Sequence, residues 1–128
     1  MPDLSWIARG DMDRGRTYLV MASYLPLASI TATIPFVRAV AAIRKQLRTA
    51  DGLVGYTLRA RPLSCDYWTL SVWSDQAALQ QFMRTAPHVG VMGALKPVMG
   101  PAKFVRWEIT AADGQPSWTD ALERLDRQ

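Results

Sequence analysis

The sequence predicts an α+β fold in the order β-α-β-β-α-β, on three observations. Four short stretches carry the two-residue apolar period of a strand. Two longer stretches set among them repeat apolar residues at helical spacing. Chain-breaking residues fall at the joints: Pro26, Asp51-Gly52, Pro62, Ser74-Asp75 and Gly100-Pro101.

Residues 1–15, with Gly10, Gly15 and alternating charge, have no period and read as an N-terminal arm. Arg16 to Leu25 is the first strand, with Leu19, Met21, Ser23 and Leu25 on one parity and Tyr18, Val20, Ala22 and Tyr24 on the other. Residues 27–33 form a loop, with Thr33 as the expected N-cap of a helix over about 34–49 that tolerates Pro35 in its first turn. Phe36, Val40, Ile43 and Leu47 make its apolar stripe. Leu53 to Arg61 and Tyr67 to Trp73 are joined by a short link, which predicts an antiparallel hairpin. Ser74-Asp75 caps a helix over 75–85, Pro87 interrupts it, and a second helical piece is expected over about 87–96. Lys103 to Ile109 is the fourth strand, and Pro116-Ser117 precedes a short helix over 118–126. The organisation is an arm (1–15), one domain (16–110) and a C-terminal extension (111–128).

This order is the split βαβ, or ferredoxin-like, arrangement: a four-stranded antiparallel sheet with two helices on one face. The strands are apolar on both parities. Two helices cover only one face, so a second copy is expected on the other, as a homodimer.

Composition narrows the function classes. With 128 residues, 49% hydrophobic and 20% charged, the chain is neither a disordered tail nor a coiled coil nor a disulfide scaffold. The longest uncharged stretch, Thr17 to Val37, is broken by Pro26, Pro35 and several hydroxyl residues, so no membrane span is expected. The first 16 residues hold three acidic groups and no apolar core, unlike a signal peptide, and the single Cys65 fits a reducing compartment. A cytoplasmic domain is expected. The net charge is +4, but the cations are scattered; Arg44, Lys45 and Arg48 cluster on one predicted helix and read as a solvated face, so no nucleic-acid partner is expected.

Candidate chemistry is sparse: one histidine, no asparagine and two glutamates. There is no nucleophile elbow, metal-ligand spacing or phosphate loop. Tyr67, Thr69, Ser71 and Trp73 share one parity of the third strand, mixing rings with hydroxyls as a ligand pocket does. His88 follows Pro87 at the expected start of a helical piece, where the helix dipole disfavours the imidazolium, and Met92 lies one turn on.

The stretch YWTLSVWSDQAALQQFMRTAPHVGVM, followed by KFVRWE, resembles the antibiotic biosynthesis monooxygenase superfamily, and more narrowly its uncharacterised bacterial branch with the pattern TLSVW…PH..VM. The resemblance covers roughly residues 16–110 and implies a dimeric α+β barrel with a pocket between sheet and helices in each protomer. It implies a small-molecule monooxygenase acting on a hydrophobic, aromatic, natural-product-like substrate. Some members need no cofactor beyond O₂ as co-substrate; others bind haem. The asparagine that these groups use on the first strand is absent, and Ser23 stands at roughly the matching position. On this reading Trp73 and Tyr67 stack on the substrate, and Ser23, Thr69 and Ser71 orient its polar groups, with Met92 alongside. His88 is the general base or, alternatively, the haem ligand. A cyclase or isomerase, or a non-catalytic binding domain, would use the same pocket.

Overall fold

The computed structural model describes residues 5–85, 90 and 95–128. Its sheet has five antiparallel strands rather than the expected four: β1 (Ile7–Ala8), β2 (Thr17–Pro26), β3 (Leu53–Arg61), β4 (Asp66–Trp73) and β5 (Lys103–Thr110), in the spatial order β1-β3-β4-β2-β5. The last four keep the ferredoxin-like order. The extra strand comes from the arm, where Ile7 pairs with Tyr56 and Ala8 with Gly55. Gly55 makes this possible: a Cβ there would collide with the Trp6 ring, so the indole lies directly on the backbone of β3. A one-residue bulge between Leu53 and Gly55 accompanies it, and the Val54 carbonyl accepts from the Arg9 and Gly10 amides.

Local chemistry explains the helices. Helix α1 spans Thr33–Leu47, but Thr33 is not its cap as expected. A 3₁₀ turn, Ile30–Ala32, runs directly into the helix, and Ser29 caps that turn by accepting from the Thr31 amide. Helix α2 (Gln76–Arg84) begins as expected, with Asp75 accepting from the Ala78 amide at 2.8 Å. Gly52, at φ +80°, turns the chain between α1 and β3; a Cβ there would lie 2.5 Å from both Ala78 Cβ and Ser74 Oγ. Helix α3 (Trp118–Asp126) starts where Ser117 accepts from the Asp120 amide. The helical piece expected over 87–96 falls mostly outside the described residues; a 3₁₀ turn at Lys96–Val98 precedes β5.

The sheet divides the core in two. On one face, α1 and α2 pack Leu47, Leu79 and Phe82 against Met21, Tyr56 and Trp73. On the other, α3 buries Ala121 and Leu125 against Val20, Ala22, Leu70 and Val72, the last four fully enclosed. Trp6 and Met12 of the arm pack on the same cluster. Arg59 lies 4.9 Å from the Trp118 ring centre, and Arg124 lies 4.4 Å from that of Trp107 while bonding Asp120 at 3.0 Å. Part of the second face is thus covered by the chain's own arm and C-terminal helix, while Trp68, Val105 and Trp107 there are only half-buried.

Across the same face the Tyr24 hydroxyl donates to the Asp66 carboxylate. That hydrogen bond, with burial and the carboxylate's charge, pushes the phenol up to about 12 from 10.0. The folded value is the higher, so the pair stabilises fully below pH 10 and loses its contribution as pH rises through about 12.

Among the described residues no helix is long and apolar enough to cross a membrane. Removing residues 114–128 takes α3 off the sheet and bares a large apolar surface. Sedimentation velocity at micromolar concentration is expected to show new self-association in the truncated chain. An unchanged sedimentation coefficient per unit mass, with the truncated chain still folded, would contradict this role for α3.

Candidate functional site

The helix-side face of β4 carries Tyr67, Thr69, Ser71 and Trp73, because alternate residues of a strand point the same way. The cross-strand register sets Leu25, Ser23, Met21 and Leu19 of β2 beside them, and Ala60, Leu58 and Tyr56 of β3 on the other flank. The sequence thus places two bulky rings at the ends of β4 and two small hydroxyl residues between them. Helix α1 bridges above. Phe36 and Leu47, near its two ends, are buried against the rings, whereas Val40 and Ile43 in its middle are only half-buried. The helix is propped at both ends and clears the sheet at its centre.

The space left is a cavity of about 260 Å³. Its wall is almost wholly apolar, with Val40, Ile43, Leu58 and Met83 among the lining side chains. Trp73 closes one end, its ring centre 5.1 Å from that of Phe82, and its indole N–H donates to Ser71 Oγ at 2.9 Å. Tyr67 closes the other end, its ring 4.3 Å from Phe36. Few polar atoms interrupt the wall. The Tyr67 hydroxyl is buried with no hydrogen-bond partner among the described residues, and a buried polar group left so costs free energy. Arg44 of α1 also lines the cavity, and its Nε donates to the Tyr56 hydroxyl at 3.3 Å.

The structure therefore brings together four of the side chains singled out from sequence: Tyr67, Thr69, Ser71 and Trp73 all line the cavity. Ser23 does not line it; it is 3% exposed and its hydroxyl bonds Thr69 Oγ1 across the strands, so it braces the wall. Trp73 is nearly fully packed and its N–H donates to Ser71, so its ring forms the end wall of the cavity. His88 and Met92 lie outside the described residues.

Sequence reasoning missed Arg44 and Tyr56. By charge Arg44 groups with Lys45 and Arg48 as a solvated face, and those two are exposed. Arg44, however, follows Ile43 and lies one turn beyond Val40, at the border of the apolar stripe, and that position was the available signal. Among the described residues the cavity wall includes no carboxylate and no imidazole, and no cluster of three or more His, Cys, Asp or Glu is placed to hold a metal. The arrangement can enclose a small apolar molecule.

No family model matches the sequence, and no curated protein matches it. Solved structures do. A Pseudomonas aeruginosa protein is 20% identical, with a TM-score of 0.62 over 77% of this chain and 96% of its own. Candidate antibiotic biosynthesis monooxygenases from Deinococcus radiodurans and Caulobacter crescentus are each 16% identical with a TM-score of 0.63. The first aligns over 77% of this chain and 95% of its own, the second over 72% and 89%. At these identities the likeness establishes a shared ferredoxin-like α+β fold, the one the strand-and-helix motif around Trp73 resembles.

The unpartnered phenol yields an unusual prediction. Tyr67→Phe removes a buried hydroxyl that satisfies nothing, and denaturant unfolding is expected to show the variant more stable by about 1 kcal/mol. Trp73→Ala, by contrast, is expected to lose roughly 3–5 kcal/mol. A Tyr67→Phe protein markedly less stable than the parent would mean that the hydroxyl is satisfied in the folded chain.

Proposed function

We propose that this chain is a small-molecule oxygenase acting on a hydrophobic aromatic compound held between α1 and the sheet. The observation that carries the reading is the apolar cavity between α1 and the sheet, with Arg44 among its lining residues. Pockets with apolar walls and a few convergent polar groups are the usual form of a small-molecule site. The fold shared with structures described as antibiotic biosynthesis monooxygenases supports the reaction class.

The chemistry suits a substrate that supplies its own electrons. An electron-rich hydroxyarene loses its hydroxyl proton, and the resulting anion reduces O₂. One oxygen atom enters the ring carbon that loses hydrogen and the other leaves as water, so one hydroxyarene and one O₂ give one quinone and one water. The cavity's share is to orient the ring, exclude water and stabilise the anion. The described wall offers no carboxylate or imidazole to take the proton, and His88, the chain's single imidazole, is assigned that task on sequence grounds. The size of the described cavity favours a cofactor-free reaction over the alternative of a haem held by His88, which lies outside the described residues. About 260 Å³ falls below the roughly 300–1,000 Å³ of pockets for drug-sized ligands, and a tetrapyrrole is larger than most of those. The lack of a base among the described lining residues favours one second reading, a binding domain without turnover.

Oxygen consumption with a panel of two-ring and three-ring hydroxyarenes tests the proposal. One O₂ is expected to disappear per quinone formed. His88→Gln is expected to lower turnover by roughly 10²–10⁴-fold with little change in affinity. Val40→Trp, which fills the cavity from the helix side, is expected to abolish both. Tight binding with no oxygen uptake across the panel would leave the binding domain as the function.

A further inference from the structure

Among the described residues, the large apolar side chains left in water gather at one end of the molecule. Five are exposed, and four of these, Ile30, Ile34, Val37 and Leu63, stand there together. Two 3₁₀ turns bring them close. Ile30–Ala32, which runs into α1, lies against Pro62–Ser64, the link between β3 and β4. The Leu27 amide donates to the Cys65 carbonyl at 2.8 Å and ties the two segments together. Ile34 is 68% exposed, and Leu63, in the middle of its turn, is 93% exposed. One exposed apolar residue is ordinary, but four in one place mark a contact surface.

The charge beside this patch has a single sign. No acidic residue occurs between Asp13 and Asp51. Ile34, Arg38, Ala41, Lys45 and Arg48 recur at the alternating spacing of one helix face, and all five are exposed. None of the three cations pairs with a carboxylate among the described residues. Asp66, which follows the second turn, lies on the other side of the sheet, where its carboxylate accepts from Tyr24. The outward face of α1 is therefore apolar at its start and cationic beyond.

Charge decides what covers such a face. A second copy seated here about a twofold axis would set Arg38, Lys45 and Arg48 against their own counterparts, and like charges repel. Ile34 and Leu63 stand proud of the surface, and a fluid lipid boundary takes in such side chains without a preformed pocket. A lipid surface with negative headgroups meets both features at once. We propose that this end of the molecule seats on an anionic lipid surface, with Ile30, Ile34, Val37 and Leu63 in the headgroup–acyl boundary and Arg38, Lys45 and Arg48 against lipid phosphates. Val37 also lines the cavity, so an apolar compound dissolved in the lipid meets the pocket wall where the chain touches the membrane. That consequence alone rests on the pocket reading. The seating stands apart from it, because Ile34, Leu63, Lys45 and Arg48 are not among the cavity's lining residues.

Flotation of the purified chain with vesicles tests the seating, using phosphatidylcholine alone and phosphatidylcholine with about a third phosphatidylglycerol. The chain is expected to float with the anionic vesicles only, and less of it at about 0.5 M salt. Ile34→Glu and Leu63→Glu are each expected to lower the partition coefficient at least about tenfold. Their thermal unfolding is expected to match the parent's, because both side chains are exposed. Lys45→Gln and Arg48→Gln are each expected to lower partitioning about fivefold. Arg127→Gln, at the end of α3 across the sheet, is expected to change nothing. An equal loss in Arg127→Gln would mean diffuse attraction by net charge and overturn the seating. Flotation retained by both glutamate variants, or no flotation with either vesicle, would overturn it too. If Leu63→Glu instead disperses a self-associated species in sedimentation without lipid, and no vesicle binds, the face belongs to a second copy. Each of these failures leaves the pocket reading where it was.

Discussion

Everything in this molecule follows from a sheet that is apolar on both sides. Val20, Ala22, Leu70 and Val72 are fully enclosed on one face, and Trp73 and Tyr56 are nearly so on the other. Exposing either face to water would cost of the order of 25 cal/mol for each Å² of apolar surface, so both demand cover. The two faces are covered by different means. The second is covered in large part by the chain's own ends, Trp6 from the arm and α3 from the C-terminus. The first is roofed by α1 and α2, and that roof is incomplete. The difference in closure, core on one side and cavity on the other, sets where a ligand can go.

The incompleteness has a local cause. Interiors are packed nearly as densely as organic crystals, so a void of this size calls for an explanation. Here Tyr67 and Trp73 act as props for α1, and Thr69 and Ser71 between them are too short to fill the gap. The same four residues account for the cavity's chemistry. Two of the hydroxyls are engaged within the wall, Thr69 with Ser23 and Ser71 with Trp73, which keeps the sheet rigid beneath a ligand. The third, on Tyr67, is left idle at a position where an apolar residue would have packed as well. Groups that lower stability without a structural return are commonly functional.

Much of this was legible in the sequence because the signals were local. Four of the strands and the three described α-helices lie within a few residues of their expected bounds, since Asp75 and Ser117 are strong caps and Pro62 and Gly52 are strong stops. The alternation along β4 picked out four cavity residues without any knowledge of the third dimension. What escaped notice was non-local. Thr33 looked like a cap because Ser29 sits before a 3₁₀ turn that no periodicity reveals. The arm became a strand through one glycine on a distant segment, Gly55. The C-terminal helix was recognised as a helix, yet its docking on the second face depended on Ala121 and Leu125 meeting residues a hundred positions earlier. Arg44 stands among charged neighbours, and only its place at the border of the apolar stripe distinguishes it from Lys45 and Arg48.

The central claim is that the chain has one closed face and one receptive face. Amide chemical-shift mapping with coumarin as the probe tests it most directly. Saturable shifts confined to the middle of α1 and the facing stretches of β3 and β4, with α3 and residues around Trp107 unmoved, are what the account predicts. Shifts centred on α3 and Trp118 with the α1 amides silent would contradict it, placing the accessible space on the face described here as closed.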